Sequence, residues 1–117
     1  METSTATSQQ EAVINFINAL NNEDFSTARK QVHNDMKFVG VMGTRDGAEA
    51  YFKDMEKMKL KYNIQKIFTD NNDVCVFYDI NMSGKNIFAC GWYKLENEKI
   101  KSFKVLFDPR PLLEEKK

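Results

Sequence analysis

Four extended stretches follow one another between residues 62 and 107, and turns of only two to four residues separate them. "YNIQKIFT" leads through "DNND" to "VCVFYDINM", through "SG" to "KNIFACGWYKL", and through "ENE" to "KIKSFKVLF". Joining parallel strands takes a crossover of about a dozen residues or more. These turns are too short for that, so the four strands form an antiparallel meander. The "DPRP" that follows ends the sheet, because proline cannot donate to a ladder.

Upstream the hydrophobic period changes. Val13, Phe16, Ile17 and Leu20 recur at i, i+3, i+4, i+7, one face of an amphipathic helix. Ser8 with Glu11 reads as a capping box in front of it. "NNED" interrupts, and Phe25, Ala28 and Val32 mark a short second helix. "MKFVGVMG" reads as a first strand, "TRDG" as a turn, and Ala48, Tyr51, Phe52 and Met55 as a third helix. The expected fold is therefore α+β in the order α-α-β-α-β-β-β-β. Helices pack on one side of a mostly antiparallel sheet. Residues 1–7 read as a flexible polar tail and residues 8–113 as a single domain, a size that suits one core.

Strand side chains alternate between faces. Val74, Val76, Tyr78 and Ile80 share one face, and Cys75, Phe77, Asp79 and Asn81 the other. In the next strand Ile87, Ala89, Gly91 and Tyr93 oppose Phe88, Cys90 and Trp92. In the last, Phe103, Val105 and Phe107 oppose Ser102, Lys104 and Leu106. A sheet with one solvated face would alternate apolar and polar cleanly. Here Phe77, Phe88, Cys90 and Trp92 make the second face apolar too. Three helices cover only one face, so the expected cover for the other is a second copy of the chain. The chain's own end, "PLLEEKK", is the competing cover.

Charge narrows the partners. The chain has 17 basic and 17 acidic side chains, a net charge of zero, so a nucleic-acid partner is not expected. The densest basic run, "KDMEKMKLKY", is interleaved with acids and reads as a solvated helix face. No run approaches the roughly 18 apolar residues that a membrane span needs. The N-terminus lacks a basic, then apolar, secretory pattern. Cys75 and Cys90 form no metal or redox motif and read as thiols in a reducing compartment. A soluble cytoplasmic protein without metal or cofactor is the expectation.

The stretches "VINFINALNNEDF", "VHNDMKFVGVMGTRDGAEAYF" and "KIKSFKVLFDP" resemble the nuclear transport factor 2-like superfamily, and within it the SnoaL-like branch that includes ketosteroid isomerases. The resemblance spans about residues 10–110. It implies a cystatin-like cone, a curved sheet wrapped around a helix to enclose a pocket, with dimers packed through the outer sheet faces. It also implies where isomerase chemistry would sit. The position of the oxyanion-donating tyrosine is Phe16, that of the general-base aspartate is Gly40, and that of the second, protonated aspartate is Gly91. None of the three can donate or accept a proton. The arginine-and-aspartate set of the epoxide-hydrolase relatives does not stand at recognisable positions, and cyclase and dehydratase relatives rely on His and Asp. The expected function is thus binding of a small apolar ligand without isomerase chemistry. The alternative is a SnoaL-type cyclase, isomerase or hydratase with other acid and base residues.

Within that frame, Phe16, Gly40, Tyr51, Tyr78, Gly91, Tyr93, Phe103, Val105 and Phe107 are the expected pocket residues, with the phenols orienting a ligand carbonyl or hydroxyl. The expected dimer face is Phe77, Phe88, Cys90 and Trp92. His33, the only imidazole, and Asp35 read as a surface turn rather than a base. Asp79 reads as an outer-face residue. Asp46 reads as the cap of the third helix with Arg45 in solvent, and Asp108 with Arg110 as the end of the last strand.

Overall fold

In the computed structural model, which describes residues 2–111 and side chains from residue 8 on, the chain forms three helices and six strands. They are α1 (Glu2–Asn21), α2 (Phe25–Lys30), β1 (Val32–Gly40), β2 (Gly43–Asp46), α3 (Ala48–Met58), β3 (Lys61–Asp70), β4 (Asp73–Met82), β5 (Lys85–Glu96) and β6 (Lys99–Phe107). The strands make one sheet in the order β2-β1-β6-β5-β4-β3. The meander β3 to β6 is antiparallel throughout, β1 runs antiparallel to β2, and β1 runs parallel to β6. The sheet is α+β in kind, curved and unclosed. Irregularities in register between Ile64 and Lys66 and between Lys94 and Leu95 bend it, since an extra residue on one strand raises the local twist.

The concave face carries the core. Val13, Phe16, Ile17 and Leu20 of α1 are buried, as are Ala48, Tyr51, Phe52 and Met55 of α3. They meet Val74, Val76, Tyr78 and Ile80 of β4, Ala89 and Tyr93 of β5, and Ile100, Phe103 and Val105 of β6. The alternation is complete in β5, where Ile87, Ala89, Gly91, Tyr93 and Leu95 are buried and their neighbours Phe88 and Trp92 are exposed. No helix among the described residues is long and apolar enough to cross a membrane.

Four expectations need correction. The first helix starts at Glu2 rather than behind Ser8, so Ser8 lies inside α1 and not at its N-cap. No proline or glycine stands between residues 2 and 21 to stop the helix. "GTRD" is a strand, β2, rather than part of a turn. All four of its residues are exposed, so it has no apolar alternation to announce it; short, polar edge strands are a common way to blunt a sheet edge. Asp46 therefore sits in β2, 3.5 Å from Lys37 across the hairpin, and α3 begins on Gly47 (φ 93°) with no side-chain cap. Finally, β1 starts at Val32 instead of residue 36, which places His33 and Asp35 on a strand. Of the segment considered as a cover for the outer face, residues 111–117, all but Pro111 lie outside the described residues.

Candidate functional site

A cavity of about 670 Å³ opens between the end of α3 and the concave sheet. One wall is the helix: Tyr51, Asp54, Met55 and Met58 recur at i, i+3, i+4, i+7, and Lys57 joins them at the rim. Tyr51 and Met55 are buried while Met58 is exposed, so α3 runs from the floor of the cavity to its mouth. The opposite wall is Phe103, Val105 and Phe107 of β6 with Phe38 of β1 and Ile80 of β4. Turns close the rim: Val41 and Met42 between β1 and β2, Leu60 after α3, and Met82 with Ser83 at the end of β4.

Four of the six methionines in the sequence, Met42, Met55, Met58 and Met82, line this space. Unbranched thioethers adapt to irregular shapes, which suits a wall that must accept a guest. The polar exceptions are few. Tyr51 and Tyr62 bring phenols to the wall, and burial pushes both well above the ordinary range, so they stay protonated and act as neutral hydrogen-bonding groups. The neighbouring Tyr62 raises Tyr51 further. Tyr62 is held from behind by Asn21, whose side chain donates to the Tyr62 carbonyl at 2.9 Å and accepts from its N–H at 2.6 Å. Asp54 is the one carboxylate among the described lining residues, and Arg45 Nε donates to it at 2.5 Å.

Of the expected pocket residues, Gly40, Tyr51, Phe103, Val105 and Phe107 line the cavity. Phe16, Tyr78, Gly91 and Tyr93 lie in the solid core instead. Phe16 is packed by the rings of Tyr51, Phe52, Tyr93 and Phe103 at 5.8–6.3 Å. The Tyr78 and Tyr93 hydroxyls bond each other at 2.8 Å. Gly91 explains why they can. A Cβ there would overlap the Tyr78 hydroxyl and come within 2.8 Å of Tyr93 Cε1. The space that the glycine leaves is filled by a phenol, not by an opening.

The remaining candidates are dispersed. His33 Nε2 lies 2.7 Å from the Glu96 carbonyl, and Asp35 pairs with Lys101 at 2.9 Å. The Lys101 ammonium holds the Asp35 carboxyl below its usual range. Asp79 accepts from Gln65 at 2.6 Å on the outer face, and Asp108 engages Arg110 at 2.7 Å. None of the four lines the cavity. No group of three or more potential metal ligands occurs among the described residues. Sequence reasoning missed Arg45, Asp54, Lys57, Met58 and Tyr62. The α3 residues had a signal in the i, i+3, i+4, i+7 series from Tyr51, but polar Asp54 and exposed Met58 do not read as core.

These features define a SnoaL-like cone with a mainly apolar pocket, and comparison with known proteins agrees. The SnoaL-like domain family matches residues 13–103, so the chain belongs to that family. A nuclear transport factor 2-like protein of unknown function from Cytophaga hutchinsonii is 51% identical, with a TM-score of 0.88 over 90% of this chain and 94% of that one. An LEH-like epoxide hydrolase of M. tuberculosis is 21% identical, with a TM-score of 0.80 over 93% and 89% of the two chains. A de novo designed protein with a curved β-sheet is 18% identical, with a TM-score of 0.77 over 93% of each. The last two share the fold alone. No match was found among curated proteins.

Proposed function

We propose that this SnoaL-like domain binds a small, mainly apolar molecule in the cone and performs no ketosteroid isomerase chemistry. The observation that carries the reading is the 670 Å³ cavity, whose walls are Met, Phe and aliphatic side chains with the buried phenol of Tyr51 and the half-buried one of Tyr62 set into them. Pockets of about 300–1,000 Å³ with a few placed polar groups are what small ligands occupy. The isomerase positions support the second half: Phe16 has no hydroxyl, and Gly40 and Gly91 have no side chain. A SnoaL-type enzyme is the alternative, and it would have to work through Asp54 and the two phenols, because His33 and Asp79 stand away from the cavity.

Native mass spectrometry of freshly purified protein tests the binding reading directly. A retained small molecule that is lost on Tyr51→Phe or Met55→Trp is the expected result. A pocket that retains nothing, and that takes up no apolar dye such as N-phenyl-1-naphthylamine, overturns it. Turnover of a retained compound would favour the enzyme.

A homodimer through the outer sheet face belongs to the same proposal. Phe68, Phe88, Trp92 and Leu106 are 42–68% exposed there, beside half-buried Phe77, Cys75 and Cys90. A contiguous apolar face of this kind is unusual on a monomer. The free thiols fit the reducing, cytoplasmic setting that the proposal assumes.

A further inference from the structure

We infer that the cavity takes an amphipathic anion, an apolar body of chain-like or ring form ending in a carboxylate, with the charged end at the mouth beside Lys57 and Arg45. This rests on the proposed ligand-binding role and adds the class of ligand to it.

The mouth carries three charged side chains, Arg45, Asp54 and Lys57. Arg45 and Asp54 neutralise each other: their side chains are 46% and 35% exposed and their ion pair is 2.5 Å long. Arg45 Nη1 is further used by the Thr44 carbonyl at 2.9 Å, and Nη2, with no hydrogen bond among the described residues, can meet an incoming oxygen. Lys57 has no ion pair or hydrogen bond among the described residues. The rim thus has an excess positive charge, although the whole chain has a net charge of zero. The bias is local to the opening.

Below the rim the character changes at once. Met42, Met58 and Met82 share the rim with the charged groups, and inside it Phe103, Val105 and Phe107 leave the wall apolar. A fully apolar guest would leave the lysine with nothing to bind. A guest with charges along its length would bury them against thioethers and rings, where an unpaired charge is costly. A cationic head would meet Lys57 and Arg45 with only one carboxylate, already engaged, in return. The arrangement matches an apolar body with one terminal anion.

Lys57 also stands in the last turn of α3, where a cation offsets the negative end of the helix. That role needs no ligand, and a charge series separates the two. Decanoate, decanol and decylammonium share one chain and differ in head-group charge. Their affinities, read by displacement of N-phenyl-1-naphthylamine, are expected to fall in that order, each step by about fivefold, the size of an exposed charge interaction. Lys57→Glu is expected to abolish or invert the preference of decanoate over decylammonium and leave decanol unchanged. Lys53→Glu, which changes net charge equally from an exposed position on the same helix away from the cavity, should leave the order intact. Equal affinities across the series, a preference for decylammonium, or equal effects of the two lysine variants would overturn the anion inference while the pocket still binds. If the dye and all three probes fail to bind, the ligand-binding reading falls and this inference with it.

Discussion

Gly91 shows how one missing side chain organises its surroundings. The Tyr78 hydroxyl occupies the place of its Cβ and bonds the Tyr93 hydroxyl, and burial keeps both phenols protonated. Gly91→Ala forces this pair apart and is expected to cost about 1–3 kcal/mol, the usual penalty of overpacking a filled core. Tyr78→Phe removes the nearest clashing atom. The double variant should therefore be less destabilised than the sum of the singles, with rescue incomplete because Tyr93 Cε1 and Tyr78 Cζ remain within 3.1 Å. Chemical denaturation of the four proteins checks this, and strict additivity would refute the packing account. That Gly91 faces inward was legible from alternation. That a phenol rather than a ligand fills its place was not, because the direction of a tyrosine ring depends on three strands at once. Cys90 offers a second test at this scale. Its Sγ lies 3.7 Å from that of Cys75, and burial together with this neighbour pushes its thiol up to about 11. Only the thiolate is alkylated, so the rate of Cys90 labelling by iodoacetamide should climb about tenfold per pH unit from pH 7 to 10. Limited access would lower every rate and leave that slope unchanged. A plateau near pH 9, followed by peptide mapping, would show an ordinary thiol.

Among the elements, β3 depends on a contact that no periodicity announces. It is an edge strand, and Asn21 at the end of α1 supplies both a donor and an acceptor to Tyr62, as a neighbouring strand would. Lys61 adds bonds to the Asn21 carbonyl at 3.0 Å and to Glu23 at 2.7 Å. The helix end, the strand start and a cavity phenol are thereby fixed together. Asn21→Ala leaves two part-buried backbone groups of Tyr62 to find water, and is expected to lower stability by about 1–3 kcal/mol. It should also raise hydrogen exchange at Tyr62 and weaken dye binding, whereas Asn18→Ala, on the exposed side of the same helix, should do neither. An unchanged exchange rate at Tyr62 would show that the amide does not hold the strand. The elements were legible to unequal degrees for one physical reason. Strands β4, β5 and β6 alternate because one face is buried, and α1 and α3 repeat at helical spacing for the same cause. Strand β2 buries nothing, and β1 has an irregular register between Val32 and Lys37, so neither β2 nor the start of β1 has a pattern to read.

At the scale of the whole molecule, the sheet divides two jobs between its faces: the concave side encloses the core and cavity, and the convex side is left apolar. Two arrangements could accommodate that convex side. In a monomer, the lysines that surround it would shield the rings. Lys94 and Lys104 lie 5.2 and 5.4 Å from the Trp92 ring centre, and Lys66 lies 5.8 Å from that of Phe68. Lysine stems do cover apolar surface while their heads stay in water. In a dimer, the same lysines would form a polar rim around an aromatic centre of Phe77, Phe88 and Trp92, the usual anatomy of an interface. The Phe77 and Phe88 rings lie 6.1 Å apart and 25° from parallel, a flat pair suited to meeting its own copy. Trp92→Glu separates the arrangements. It places a carboxylate at the centre of the proposed interface; in a monomer it removes one exposed hydrogen bond, from Trp92 Nε1 to Asp73 at 3.1 Å, and exchanges one exposed side chain for another beside Asp73 and two lysines. Sedimentation should show wild type as a dimer and Trp92→Glu as a folded monomer with near-native circular dichroism. Because the cavity lies on the opposite face, dye binding by the monomeric variant should stay within about twofold of wild type, less than the tenfold that 1.4 kcal/mol would produce. A variant that stays dimeric would place the interface elsewhere, and one that becomes monomeric but loses the dye would show that the partner subunit supports the cavity through the sheet.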